Sequence, residues 1–155
     1  MSHAVTWLLR AGLGGIAVAA VLSCKNVDDP PAPAAIAGSW QYTETLSDNL
    51  FQITCADTGV YTFNQDGPKF SGNYVQSGIC ENQGSKFFNT GHGPVTNGSV
   101  TNVRLQFTAS ELCSYTGQLS AAHDAVNAGT GICDFVDSST SRHYSMQITW
   151  QMTRP

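Results

Sequence analysis

Apolar and polar residues alternate along most of the chain beyond residue 38, and the clearest run is the last. Tyr144, Met146, Ile148, Trp150 and Met152 are separated one by one by Ser145, Gln147, Thr149 and Gln151. A period of two puts the five apolar side chains on one face of a strand, whereas a helix would scatter them around its axis. The same alternation predicts a first strand from Trp40 and Tyr42 towards Leu46 and a second through Phe51, Ile53 and Cys55. A third, led by Tyr61 and Phe63, runs into the hairpin signal Asp66-Gly67. Phe70, Gly72 and Tyr74 mark a fourth, Val103, Leu105 and Phe107 a fifth, Cys113, Tyr115 and Leu119 a sixth, and Cys133 with Phe135 the one before last. About eight strands separated by Gly, Asn, Asp and Ser turns predict an all-β domain. It is an antiparallel meander closed as a barrel or, alternatively, folded as a β-sandwich.

Two stretches break the alternation. Residues 81–98 are rich in Gly and Asn, with Phe87-Phe88 in their midst, and residues 120–131 contain a short Ala-rich segment around His123. Both read as long loops, of the kind that carry function or simply move.

The N-terminal stretch is built differently. After Arg10 comes an uncharged run, Ala11 to Leu22, of 12 residues. That is too short for a membrane span, which needs about 20, and suits the apolar region of a signal peptide. It ends in Val21-Leu22-Ser23-Cys24, which resembles the lipobox of bacterial lipoproteins: an aliphatic residue, two further positions, then the cysteine that takes the lipid. The resemblance implies a signal peptide over residues 1–23, cleavage before Cys24 and acyl chains on that cysteine. With Lys25 rather than Asp next, it also implies the outer membrane, in a host that has one. Residues 25–37, with three prolines and many small residues, read with Cys24 as a tether, and the domain is expected over residues 38–155.

The cysteines bear this out as a pattern. Five are present; setting Cys24 aside leaves four, arranged as a doubled motif. Cys55-Ala56-Asp57-Thr58-Gly59 is matched by Cys113-Ser114-Tyr115-Thr116-Gly117, and Ser77-Gly78-Ile79-Cys80 by Thr130-Gly131-Ile132-Cys133. The repeat favours disulfides Cys55–Cys80 and Cys113–Cys133, with bridges between the copies as the alternative. Zinc would call for close pairs such as Cys-x2-Cys, and no cysteine pair here has that spacing.

Composition narrows the function classes. Only 12% of residues are charged and the formal net charge is −4, with no basic run. Nucleic-acid binding therefore has no electrostatic support, and attachment to anionic lipid would have to be covalent. His92, His123 and His143 lack metal-ligand spacing, no nucleophile elbow or phosphate loop occurs, and Glu44, Glu81, Glu111 and Asp134 flank turns and read as solvated. No enzymatic activity, metal or cofactor is expected.

Gly38-Ser39-Trp40 at the domain entry, a meander, and Trp150 with Arg154 at its end resemble the lipocalin-like (calycin) barrels. In that family the Gly-x-Trp tryptophan packs near a basic residue from the last strand. The resemblance implies a barrel in which Trp40, Tyr42, Tyr61, Tyr74 and Trp150 either form the core or line a cavity for a small apolar ligand. Phe87 and Phe88 are an apolar pair in a polar setting, suited to capping the barrel or to meeting an envelope protein. The expectation is a monomeric, exported, lipid-anchored binding module. The alternatives are a structural lipoprotein with a filled core acting through its loops, and an extracytoplasmic hydrolase inhibitor.

Overall fold

A computed structural model describes residues 32–137 and 140–155. The expected signal peptide over residues 1–23, the expected lipidation site Cys24 and the first part of the stretch read as tether lie outside the described residues. Eight strands follow one another: β1 (Gly38–Asp48), β2 (Ile53–Asp66), β3 (Lys69–Asn82), β4 (Ser85–Thr101), β5 (Arg104–Ala109), β6 (Cys113–Gln118), β7 (Ala125–Asp137) and β8 (Arg142–Thr153). Each pairs antiparallel with the next, and β8 pairs with β1, so the sheet is a closed up-and-down barrel rather than a sandwich. Closure leaves no free strand edge.

The strand count agrees with the alternation, but its make-up does not. The stretches predicted as separate second and third strands, around Cys55 and around Tyr61, are one strand, β2. The predicted loop over residues 81–98 is instead most of β4, joined to β3 by the tight turn Gln83-Gly84, both at positive φ. That is the geometry a two-residue hairpin needs. The second predicted loop is also shorter than expected, since β7 begins at Ala125. Inward positions of β4 are occupied by glycines where neighbouring strands send in bulk: a side chain at Gly93 would crowd the Tyr74 ring, 3.1 Å away.

Alternate residues of every strand point into the barrel. Its middle is filled by aromatic rings: Tyr42 stacks on Tyr61 with centroids 4.1 Å apart, Phe107 stacks on Tyr115 at 4.8 Å, and Trp150 meets both of the latter edge-on. Rings of this size fit because glycines face them. A Cβ at Gly129 would collide with the indole of Trp150, and one at Gly59 with the ring of Tyr42.

One end of the barrel is plugged. Residues 32–37, part of the stretch read as tether, run against it, with Ala34 and Ile36 buried in the core. Side chains of the barrel hold them: Gln65 Oε1 accepts from Ile36 N at 2.7 Å, and Trp40 Nε1 donates to Ile36 O at 2.7 Å. Arg154 lies over the Trp40 ring at 4.5 Å and donates to the carbonyls of Ala35 and Ala37. The expected contact between the first-strand tryptophan and a basic residue after the last strand is thus present.

Both disulfides, Cys55–Cys80 and Cys113–Cys133, are formed within their own copy of the motif. Each joins directly opposed residues of adjacent strands, β2 to β3 and β6 to β7. These strand pairs are four places apart in a ring of eight, so the bridges face each other across the barrel. The rest of the doubled motif has a physical reading as well. Thr58 and Thr116 face outward and their hydroxyls donate to Ser77 O and Thr130 O, each at 3.4 Å. Gly59 and Gly117 face inward beneath large rings.

Candidate functional site: the mouth of the barrel

The end opposite the plug is open. The turns after β1, β3, β5 and β7 surround a hollow of about 590 Å³ whose walls come from all but one of the strands and from the β5–β6 turn. Leu46, Phe135, Met146 and the four bridged cysteines form the lower wall, and Phe87, Leu112 and Val136 the lip. Most of this lining is apolar, and its polar side chains are Tyr144 and Asn89, whose amide sits one layer further in than Phe87 on β4. A second hollow, of about 670 Å³ and somewhat more open, lies on the outer wall between Tyr42, Thr43, Thr58, Val60, Val75 and Gln76.

Phe87 and Phe88, expected to act as a pair, are separated by the sheet. Phe87 turns to the mouth and is 49% exposed, whereas Phe88 points out of the barrel and is 87% exposed. Successive residues of a strand must part in this way. Phe88 lies opposite Ile79 of β3, also exposed, and the two form a small apolar patch on the outer wall.

The five aromatics named as candidate ligand contacts are core residues. Trp40, Tyr42, Tyr61, Tyr74 and Trp150 are all buried, and none of them lines the mouth. Tyr42 also borders the hollow on the outer wall, and Trp150 another beside β1 and β7.

Directly beneath the mouth lies a layer that the sequence did not disclose. Glu44 on β1 and Asp57 on β2 are register partners, both turned inward, 4% and 1% exposed. Glu44 is therefore not the solvated turn residue it was expected to be. Its position in phase with Trp40, Tyr42 and Leu46 was the available signal. Tyr115 OH donates to Glu44 Oε2 at 3.0 Å. Loss of hydration on burial pushes the Glu44 carboxyl up to about 7; the Tyr115 bond opposes this and the charge of Asp57 adds to it. Asp57 is raised too, by burial, against the pull of a hydrogen bond from Asn89.

A chain of hydrogen bonds with one direction runs through this layer. Tyr42 OH donates to Gln76 Oε1 at 3.1 Å; Gln76 Nε2 reaches Asp57 Oδ2 at 3.5 Å, and Asn89 Nδ2 donates to the same oxygen at 2.7 Å. Asp57 Oδ1 is buried without a hydrogen-bond partner among the described residues.

The Ser120, His123 and Asp124 group is a turn, not a catalytic constellation. Ser120 Oγ donates to Asp124 Oδ1 at 2.6 Å and accepts from the backbone N–H of Asp124 and Ala125. Its oxygen is thus held by the Asp124 carboxylate and two amides, and no hydrogen bond joins it to the His123 ring among the described residues.

The sequence matches no known protein family and no curated protein closely enough to count as a relative.

Proposed function

We propose that this chain is an exported, lipid-anchored, non-catalytic binding module whose site is the mouth of the barrel, and that it takes a small apolar ligand there. One observation carries the reading: a barrel filled through its middle and plugged at one end keeps an apolar hollow of about 590 Å³ at the other. Pockets of this size and lining are where proteins bind small molecules. An apolar surface left open to water is otherwise a cost. The lipobox-like Cys24 supplies the anchor, in the outer membrane that Lys25 favours by the same resemblance.

A second reading has its own support. The exposed Phe88–Ile79 patch favours an envelope protein docked on the outer wall. One pair of variants separates the two. Phe87→Glu places a charge on the lip and should weaken binding of an apolar fluorescent probe at least tenfold, while Phe88→Glu leaves it unchanged. No probe binding in the parent chain, or equal loss in both variants, would remove the mouth as the site. Incorporation of radiolabelled palmitate, lost in Cys24→Ser, tests the anchor.

A further inference from the structure

The floor of the mouth has a polarity, and it comes from one buried side chain. A carboxyl oxygen such as Asp57 Oδ2 accepts hydrogen bonds, so the amide of Asn89 must turn its nitrogen towards it. The Gln76 amide approaches the same oxygen with its own nitrogen, and Tyr42 donates to the far end of Gln76, so every neighbour is set in one sense. With its nitrogen end held against Asp57, Asn89 turns its oxygen end away. That oxygen has no partner among the described residues, and Asn89 is half-buried in the wall of the hollow. The mouth therefore offers Asn89 as an acceptor deep in a largely apolar hollow, above two buried acids that disfavour an anion, with Tyr144 the other polar side chain of its lining.

We propose that the ligand is a small apolar molecule bearing a hydrogen-bond donor, a hydroxyl or an amine, at the end that enters first. Asn89 Oδ1 receives the donor, and Asp57 is the positioning residue that keeps this oxygen turned to the cavity. The inference rests on the mouth being the binding site. It adds the chemical class of the ligand, and it excludes fatty acids and other apolar anions.

Octan-1-ol and 1-methoxyheptane have the same number of heavy atoms and differ in the donor. Calorimetric titration of the folded domain should find octan-1-ol bound about tenfold more tightly, the worth of roughly one hydrogen bond, with octanoate weaker than either. In Asn89→Leu both neutral probes should still bind and the ratio should fall to about one. In Asp57→Asn the neighbour can donate as well as accept, the amide of Asn89 loses its fixed sense, and the ratio should again fall towards one. A purely structural part for Asp57 would weaken both probes alike and keep the ratio. That result, or equal affinity of the parent for both probes, overturns the assignment of ligand class while leaving the mouth as a site. Failure of every probe, including the apolar fluorophore, removes the mouth itself. Circular dichroism of each variant confirms that a folded barrel is being compared.

Discussion

Tyr115 and Glu44, 71 residues apart in the chain, meet inside the barrel through a 3.0 Å hydrogen bond from phenol to carboxyl. The bond ties β6 to β1 across the interior and gives a buried acid a hydrogen-bond donor. Burial of that acid, which the bond only partly offsets, makes the protein's stability depend on pH in an unusual sense for a carboxyl group.

The folded chain holds the proton of Glu44 up to about pH 7, against about 4.5 when unfolded. Between these values the folded state binds more protons, so stability is complete below the lower value and is lost as pH rises through the upper one. The difference corresponds to about 3 kcal/mol. Asp57 is shifted in the same direction. Urea midpoints should therefore fall from pH 5 to pH 8, and Glu44→Gln should remove most of the slope, leaving the smaller part due to Asp57. A midpoint that rises over this range would contradict the burial of the acid as described.

The bridges close loops of 25 and 20 residues. Chain entropy gives each about 3 kcal/mol of stabilisation. Replacing Cys113 and Cys133 by serine should lower the unfolding free energy by about that amount, and reduction of both bridges should have a larger effect. Because both stand in the wall of the mouth, probe binding should suffer before the barrel opens. Peptide mapping without reductant should recover Cys55 with Cys80 and Cys113 with Cys133.

Gly129→Ala and Gly67→Ala separate two reasons for glycine. At Gly129 a methyl group meets the indole of Trp150, so the replacement should cost about 2 kcal/mol or more through overpacking. At Gly67 there is open space but φ is +56°, and the cost should be about 1 kcal/mol from the backbone alone. Thermal unfolding of the two variants would show the order, and a smaller effect at Gly129 would speak against the packing.

Legibility of this fold followed the size of the inward residues. β8 was plain because Met146, Ile148, Trp150 and Met152 are all large and all inward. β4 was hidden because its inward positions include Asn89, Gly91 and Gly93, where Tyr74 and Gln76 from β3 fill the space instead. A strand that makes room for its neighbour loses its own alternation. The bridges could be read from the repeat, since both copies solve the same local problem. The layer of Glu44 and Asp57 could not be read as buried from charge alone. Its partners Tyr115, Gln76 and Asn89 come from three other strands, and no local pattern links them.

The contact of Arg154 with Ala35 and Ala37 brings the last residues of the chain to the segment that leads into β1. The ring of strands thus has its seam at the plugged end, where a few added residues could join β8 to β1. Circular permutants could then be cut at any of the mouth turns and keep the same neighbours around the ring. Comparing such permutants would show which turns the mouth needs intact, without altering a single residue of its lining.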